Sequence, residues 1–222
     1  MSLWLWAGGL IVVRFPPASK SAEYSADINA SGRKLLAILG DILDTARLDS
    51  GSVTLSEGEV GLAGCVDLAV AKVSKLSKIA ERKIVTSGDR ELRVRGDGQR
   101  LVQMVENLVS NAVKFTTSNG RIEIALLRAP DGGVDIEVSD DGEGIAPEQM
   151  ENILERFGQV ESAYARSHGG IGLGLPIVKS LAALHGGTLS IASELEKGTT
   201  VRVHLPKERV LGGSSQHATA AA

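Results

Sequence analysis

Segments with helical and strand-like patterns alternate between residues 62 and 205. The helical segments place apolar residues three and four positions apart, whereas the strand-like segments alternate apolar with polar residues. Helices are predicted near 62–82, 98–116, 147–154 and 174–185. Strands are predicted near 83–86, 93–95, 121–127, 134–139, 188–192 and 199–205. This order predicts an α/β domain, with a hairpin turn at the sequence APDGG.

The segment before this domain has the pattern of one long amphipathic helix. Apolar residues recur with helical spacing between Ser21 and Leu48, and the sequence DSGSV then ends the helix. The apolar positions are Ile28, Leu35, Ile38 or Leu39, Ile42 and Ala46. A single helix cannot bury its own apolar stripe, so this segment predicts a partner helix from the same chain or from another.

Composition excludes several classes of protein. The net charge of −3 gives no electrostatic footprint for nucleic acid, so we expect no nucleic-acid partner. Cys65 is the only cysteine, which excludes an intrachain disulfide and a cysteine-based metal cluster. We expect this cysteine to be buried in a helix, and a reducing, cytoplasmic location fits the chain.

The two ends of the chain carry weaker patterns. The uncharged run Leu3–Val13 is too short for a membrane span, which needs about 20 apolar residues, and no basic leading region precedes it. We expect a buried or partner-facing segment there and no membrane span. The small and polar residues at the other end predict a disordered tail over 208–222.

A glycine cluster, GGIGLG at residues 169–174, runs directly into the last predicted helix. Glycine weakens regular structure, so a cluster indicates positive φ angles or the close approach of a ligand. A helix N-terminus offers unpaired N–H groups and a positive dipole end to an anion such as phosphate. On its own the cluster is compatible with a nucleotide site or with a tight turn.

The predicted helix at 98–116 has one polar face that is not simply charged. Its members fall within about 80° of one another on a helical wheel and are Arg100, Gln103, Asn107, Asn111 and Lys114. The opposite side is apolar and comprises Leu101, Val105, Leu108, Val109 and Ala112. Such a face is often only solvated. Asparagine is a poor helix former, however, and two amide oxygens at this spacing suit Mg²⁺, while Lys114 suits a phosphate.

A second polar group follows the strand that contains the sequence VDIEVS. That strand ends at Asp140 and Asp141, and Gly142 and Gly144 come directly after them. A turn built around an aspartate side chain is one interpretation. The other is a carboxylate that accepts a hydrogen bond from an exocyclic amine such as that of adenine.

Taken in order, five sequences resemble the N, G1, F, G2 and G3 boxes of the catalytic domain of sensor histidine kinases. These sequences are NLVSNAVKF, DDGEGI, ERFGQV, GIGLGL and KGTTV. That domain belongs to the ATPase superfamily shared with DNA gyrase, heat-shock chaperones and mismatch-repair proteins. The resemblance implies an α+β fold, a two-layer α/β sandwich with a mixed sheet packed on helices. Residues 21–52 also resemble the second helix of the dimerisation and phosphoacceptor hairpin, so the fold would be preceded by a long helix of a dimerisation bundle.

The resemblance also implies a role for each matching residue. Asn111 would coordinate Mg²⁺ through the phosphates of ATP, with Asn107 and Lys114 beside the phosphates, and Asn111 and Lys114 would act in catalysis. Asp140 would hold the adenine amino group. The remaining implied ATP-binding residues are Gly142, Gly144, Gly170, Gly172, Leu173, Gly174 and Thr199.

Two departures from the family pattern concern loop geometry. Ile171 stands where relatives more often have a small or hydroxyl residue, and Glu196 stands where they have glycine. We expect both to alter the geometry of the ATP lid, near 158–170, and of a turn more than the chemistry. We expect His168 in the lid to be an exposed loop residue and His185 to be a residue at the end of its helix.

A larger departure is the absence of the acceptor histidine, which the family carries on the first helix of the hairpin. The four histidines are His168, His185, His204 and His217, and none lies before Ser21. We interpret residues 1–20 as a truncated or divergent segment, 21–52 as a partial dimerisation hairpin and 53–207 as the ATP-binding domain. The predicted partners are a response-regulator receiver domain and a second copy of the chain.

Three functions follow from these observations. The favoured one is the ATP-binding core of a two-component histidine kinase, which positions Mg-ATP for transfer to a histidine. An alternative is a nucleotide-binding interaction module that does not transfer phosphate. The third, an ATPase of the gyrase or chaperone kind, is disfavoured because the water-activating glutamate usually occupies the position of Asn107, and Glu106 points about 100° away.

Overall fold

The computed structural model describes residues 4–6, 9–11, 18–76, 83–150, 152–155, 158 and 172–211. The helices are α1 (Ala18–Asp49), α2 (Leu62–Leu76), α3 (Gly98–Phe115) and α4 (Gly174–Leu184). The strands are β1 (Trp4–Trp6), β2 (Gly9–Ile11), β3 (Gly58–Gly61), β4 (Lys83–Gly88), β5 (Arg93–Gly96), β6 (Arg121–Arg128), β7 (Val134–Asp140), β8 (Thr188–Glu194), β9 (Gly198–Leu205) and β10 (Val210–Leu211).

The chain forms two compact units, Met1–Gly40 and Asp41–Ala222. In the first unit, β1 pairs with β2 in an antiparallel hairpin and α1 begins. The division between the units falls inside α1, whereas the sequence suggested boundaries at 20/21 and 52/53. The last turns of α1 belong to the second unit because Asp44 forms hydrogen bonds there with side chains of α3.

A mixed sheet forms one layer of the second unit. Its described strands lie in the order β4-β6-β7-β9-β8, and the β4–β6 pair is parallel while the other neighbours are antiparallel. Alternate residues of β6, β7 and β9 are buried, so one face of the sheet is apolar. The hairpin between β6 and β7 closes at the predicted turn, where the N–H of Ala129 donates to the carbonyl of Gly133 at 3.0 Å.

The helices α2, α3 and α4 form the second layer against this apolar face. Each of the five apolar positions predicted for the inner side of α3 is buried, and the core also includes residues of β6, β7, β9, α2 and α4. Asp97 caps the start of α3, because its Oδ1 accepts from the N–H groups of Gln99 and Arg100. The predicted α+β fold, with a mixed sheet packed on helices, is confirmed.

A small second sheet lies beside these layers, with the strand order β10-β5-β3. The sequence pattern predicts neither β3 nor β10, because both strands are too short to show a clear alternation. The ordered chain continues through a 3₁₀ turn at Lys207–Arg209 into β10, which pairs with β5. The predicted tail over 208–222 therefore begins too early, and its residues 212–222 lie outside the described part of the chain.

The predicted helix at 147–154 is two 3₁₀ turns, Pro147–Gln149 and Asn152–Leu154. Pro147 suits a helix start because it needs no hydrogen bond for its nitrogen. Of the described residues in this stretch, Ile153 alone is a buried hydrophobic residue. The stretch therefore buries too little apolar surface to stabilise a longer helix.

The helix α1 exposes the apolar stripe that the sequence predicted. Its exposed large apolar side chains are Tyr24, Ile28, Leu35, Leu36, Leu39, Ile42 and Leu43. Within the described ranges, no helix combines the length and the apolar character needed to cross a bilayer.

Candidate functional site

A cavity of about 280 Å³ opens between α3, the end of β7 and the start of α4. Its walls combine apolar and polar side chains, as small-molecule sites commonly do. The polar side chains are Asp41, Asn107, Ser110, Asn111, Lys114, Asp140, Glu143 and Thr199. The apolar ones include Leu108, Phe115, Val138, Ile145, Ile153, Leu173, Ile191 and Val201.

The polar face of α3 supplies one side of the cavity. Asn107, Asn111 and Lys114 lie one turn apart on this face, as the spacing predicted. The Nδ2 of Asn107 donates to the backbone carbonyl of Gln103 at 3.1 Å, which fixes the amide group. The Nζ of Lys114 lies 4.6 Å from the centre of the Phe115 ring. This side of the cavity thus offers amide groups and a cation.

Asp140 ends β7 and faces the cavity. It lies opposite Thr199 of β9 in the ladder, and its Oδ1 accepts from the N–H of Gly142 at 3.0 Å. Burial raises the pKa of this carboxyl to about 6, and the neighbouring Asp141 adds to the rise, while hydrogen bonds from the backbone of Gly142 and Thr199 oppose it. A strongly shifted carboxyl in a cavity is typical of a functional group.

Two glycines after Asp140 permit close approach of the backbone to its neighbours. A Cβ on Gly142 would lie 2.4 Å from the carbonyl oxygen of Phe115. Gly144 has φ +68°, and a Cβ there would lie 2.0 Å from the carbonyl oxygen of Glu194. Gly144 lines the cavity, whereas Gly142 packs against α3 and is not part of the cavity wall.

The start of α4 forms a further wall through Gly172, Leu173 and Gly174. Gly172 has φ +74°, a conformation that favours glycine. No described side chain caps this helix, whose N-cap residue is Leu173. The third residue of the helix is Pro176, which has no N–H, so the N–H groups of Gly174 and Leu175 are the first donors that the helix offers.

A hydroxyl network connects Thr199 to the loop after Asp140. The Oγ1 of Thr199 and the Oγ of Ser193 lie 2.8 Å apart. The same Ser193 oxygen accepts from the N–H of Ile145 at 2.8 Å. The strands β8 and β9 therefore hold the loop that carries Gly144 against the cavity.

The predicted residues come together with two exceptions. Asn107, Asn111, Lys114, Asp140, Gly144, Gly172, Leu173, Gly174 and Thr199 all line the cavity. Gly142 lies behind its wall. Gly170 lies outside the described residues, as do His168, Ile171 and most of the segment predicted as a lid.

Some cavity residues were not identified from the sequence. Val138 and Val201 could have been found, because they follow the inward alternation of β7 and β9. Asp41 could not, because α1 brings it to the cavity through a tertiary contact. Burial raises the pKa of the Asp41 carboxyl, and the nearby Asp44 raises it further.

Glu106 does not reach the cavity. Its carboxylate forms an ion pair with the Nζ of Lys72 on α2 at 2.6 Å. This orientation agrees with the helical-wheel argument and places the glutamate away from the position of a water-activating base.

Curated histidine kinases match most of this chain. The Histidine protein kinase DivJ of Caulobacter vibrioides is 37% identical over 194 residues, which are 86% of this chain and 32% of the relative. The Circadian input-output histidine kinase CikA of Synechococcus elongatus is 31% identical over 213 residues, which are 95% of this chain and 27% of the relative. The chain thus spans about a third or less of the length of these relatives.

The fold is also similar to that of solved structures. The crystal structure of full-length ShkA in complex with AMPPNP superposes with a TM-score of 0.73 at 29% identity, and the match covers 87% of this chain and 40% of ShkA. Residues 96–209, which hold α3, the cavity strands and α4, match one family of ATPases. The resemblance to histidine kinase catalytic domains is therefore confirmed, and the chain belongs to the Histidine kinase-, DNA gyrase B-, and HSP90-like ATPase family.

Proposed function

We propose that the chain is the ATP-binding kinase core of a two-component sensor histidine kinase, and that it positions Mg-ATP for phosphoryl transfer to a histidine. One observation carries the proposal. A single cavity combines a half-buried carboxylate at Asp140 with the amide and ammonium groups of α3 and an uncapped helix start at α4. Because ATP is an intracellular nucleotide, the reaction would take place in the cytoplasm.

The adenine base would bind at Asp140. An ionised carboxylate accepts a hydrogen bond from the exocyclic amine of adenine, and it repels the carbonyl oxygen that guanine carries at the same place. Thr199 and Gly144 would shape the pocket around the ring, with Val138, Ile191 and Val201 as apolar neighbours.

The phosphates would bind between α3 and the start of α4. Lys114 supplies a positive charge, and the N–H groups of Gly174 and Leu175, at the positive end of the α4 dipole, would donate to a phosphate oxygen. Asn111 has the oxygen donor that Mg²⁺ prefers and lies on the same wall, so it would hold the ion together with the phosphate oxygens. A bound Mg²⁺ would offset negative charge on the transferring phosphoryl group.

The described residues that line the cavity would bind and orient the nucleotide, but none of them is a histidine. His185 is fully buried and hydrogen-bonded through both ring nitrogens. His204 is paired with Asp135 and Asp131 and does not line the cavity. We therefore propose that the acceptor histidine is supplied by another helix, and that catalysis by this chain consists of positioning and electrostatic stabilisation.

Calorimetry with Mg-ATP tests the phosphate assignment. Asn111→Ala removes the oxygen donor and Asn111→Asp adds a negative charge beside the phosphates, so both should weaken Mg-ATP binding by about tenfold or more. Asn119→Ala is the matched control, because Asn119 lies in an exposed turn away from the cavity. Unchanged Mg-ATP affinity in both Asn111 variants would refute the assignment.

Competition between nucleotides tests the adenine assignment separately. GTP should compete poorly with a fluorescent ATP analogue in the unmutated protein. If ATP and GTP compete equally well, Asp140 does not read the adenine amine.

We further propose that α1 pairs with a second copy of the chain and that a response-regulator receiver domain accepts the phosphoryl group downstream. The exposed apolar side chains of α1 support the first part, because such a stripe requires burial. Light scattering should report a dimer at high protein concentration, and replacement of Leu36 and Leu43 by Glu should yield a monomer. A monomer in the unmutated protein with α1 intact would contradict the pairing.

A further inference from the structure

His185 is a buried imidazole whose hydrogen bonds fix its protonation state. It caps the C-terminal end of α4 and has no exposed surface. Its Nδ1 lies 2.8 Å from the carbonyl oxygen of Leu181, and its Nε2 lies 3.1 Å from the backbone nitrogen of Asp97. A carbonyl only accepts and a backbone N–H only donates, so Nδ1 carries the proton and Nε2 is the acceptor. The ring is neutral in this arrangement.

The partner of Nε2 is the residue that starts α3. The Oδ1 of Asp97 accepts from the N–H groups of Gln99 and Arg100, at 3.0 and 3.2 Å, and its Oδ2 accepts from the N–H of Ser56 at 2.9 Å. Burial alone would raise the pKa of this carboxyl, but these hydrogen bonds and Arg100 outweigh it, so the pKa is lowered and Asp97 is ionised. The imidazole thus joins the last turn of α4 to the cap of α3.

The same two helices meet again at the cavity. A Cβ on Gly174 would lie 3.4 Å from the Oδ1 of Asn107 and 3.5 Å from the Nδ2 of Asn111. Gly174 begins α4 and His185 ends it, whereas Asp97 begins α3 and Asn111 lies near its end. The helices are therefore antiparallel and are held at two points. The eleven residues of α4 connect these two points.

The surroundings of the ring leave it little freedom. A Cβ on Gly96 would lie 3.0 Å from the Cδ2 and 3.2 Å from the Nε2 of His185. The Nε of Arg209 donates to the backbone carbonyl of His185 at 3.0 Å, and the same guanidinium is paired with Glu57. Burial lowers the pKa of His185 and Arg209 adds to this, while the hydrogen bond to Leu181 and the charges of Asp97 and Glu57 oppose it.

We propose that His185 is a positioning residue for the nucleotide phosphates. Its neutral imidazole sets the register of α4 on α3, and this register sets the distance between the first N–H groups of α4 and the side chains of Asn107 and Asn111. The inference rests on the proposed ATP site. It predicts that His185 controls binding of the phosphates and leaves binding of the base unaffected, because Asp140 and Thr199 belong to β7 and β9.

The test compares Mg-ATP with adenosine by calorimetry at pH 7.5. His185→Leu keeps much of the volume and removes both hydrogen bonds, so it should weaken Mg-ATP binding by about tenfold, roughly the loss of one buried hydrogen bond. Adenosine binding should change by less than about twofold. His185→Gln can accept from the N–H of Asp97 through its side-chain oxygen and should restore most of the Mg-ATP affinity.

Two further variants make the result specific. Gly96→Ala retains the imidazole, but its added Cβ presses against the ring. It should therefore reproduce the selective loss of Mg-ATP affinity. If His185→Leu does not fold, Gly96→Ala is the variant that tests the inference. His204→Ala replaces a histidine that lies on β9 outside the cavity wall, and it should change neither affinity.

The outcomes separate this inference from the proposed function. If Mg-ATP and adenosine affinities fall together in the folded variants, or if neither falls, His185 does not set the helix register and the inference is overturned. If the unmutated protein binds neither Mg-ATP nor adenosine, the proposed function fails, and the inference fails with it.

Discussion

At the scale of single residues, the Asp140 carboxyl should make binding of the base depend on pH. Its pKa of about 6 means that the group is ionised at pH 7.5 and largely protonated at pH 5. The ionised form accepts a stronger, charge-assisted hydrogen bond from the adenine amine than the protonated form does, so the affinity for adenosine should fall by about tenfold between these pH values. Adenosine is the appropriate ligand, because the phosphates of ATP titrate in the same range.

Asp140→Asn provides the control for this profile. The amide can still accept one hydrogen bond but has no charge, so adenosine should bind more weakly and without pH dependence over the same range. A sloping profile that survives in Asp140→Asn would assign the titration to another group.

The same carboxyl affects folding stability with the opposite dependence on pH. Because its pKa is raised in the folded state, it favours folding at low pH. This contribution is lost as the pH rises through about 6.

Glu196 is strained by its backbone conformation. It has φ +62° in the turn between β8 and β9, and its N–H donates to the carbonyl of Glu143 at 2.7 Å. A left-handed backbone conformation costs a residue with a Cβ about 1–2 kcal/mol. Glycine avoids this cost, but its greater freedom in the unfolded chain offsets part of the gain in stability. Glu196→Gly should therefore raise the free energy of unfolding by about 0.5–1 kcal/mol in urea denaturation.

Glu196→Ala separates the strain from the charge. It keeps the Cβ and removes the carboxylate, so its free energy of unfolding should stay within about 0.5 kcal/mol of that of the unmutated protein. If the alanine variant gains as much stability as the glycine variant, the carboxylate and not the backbone is responsible.

The polar residues of the cavity were largely predictable because they follow local rules. Asn107, Asn111 and Lys114 were placed together by the helical repeat, and Asp140 by its position at the end of a strand. The role of His185 was not predictable. Its position at the end of a helix followed from the glycines after it, but its hydrogen bond to Asp97 joins residues far apart in sequence.

At the scale of elements, Asp44 should hold the last turns of α1 on α3. Its Oδ2 accepts from the Nε2 of Gln103 at 2.7 Å and from the Nη1 of Arg100 at 3.3 Å. The side chains of Asp44 and Arg100 are each about three-quarters buried. Loss of this pair should therefore destabilise the helix more than loss of a surface pair would. Asp44→Ala should increase amide hydrogen exchange in residues 45–49 by about fivefold, which corresponds to about 1 kcal/mol.

Asp67→Ala is the control for this exchange experiment. Asp67 forms an ion pair with Arg90 at 2.6 Å, but both side chains are about half exposed. Its removal should leave exchange in α1 unchanged. Equal exchange in Asp44→Ala and the unmutated protein would mean that the contact with α3 does not stabilise these turns in solution.

The longer elements were predicted well and the shorter ones poorly, for a physical reason. A strand such as β7 or β9 buries alternate side chains over seven or eight residues, which leaves a period-two pattern in the sequence. β10 has two residues and is held by its pairing with β5, so its formation depends on a distant strand. The structure has two 3₁₀ turns where a helix was predicted. Helical spacing in the sequence does not ensure that an apolar surface is available for the helix to pack against.

At the scale of the whole molecule, the chain should bind Mg-ATP without phosphorylating its own histidines. The residues that line the cavity include no histidine that could accept the γ-phosphoryl group. Both described histidines are engaged elsewhere, since His185 is buried between two helices and His204 contacts Asp135 on the sheet. Incubation with γ-labelled ATP should leave no label on this chain that is labile to acid and stable to base.

A second protein should distinguish a kinase core from a nucleotide-binding interaction module. If the chain is a kinase core, a separate protein that carries a complete histidine hairpin should acquire acid-labile label in its presence, and Asn111→Ala should abolish this transfer. An interaction module would bind Mg-ATP with the same affinity and label neither protein. Acid-labile label on the chain by itself would contradict the prediction of an external acceptor. The acceptor would then be sought first at His168 and His217, since the hydrogen bonds of His185 and the contacts of His204 with Asp131 and Asp135 hold both rings away from the cavity.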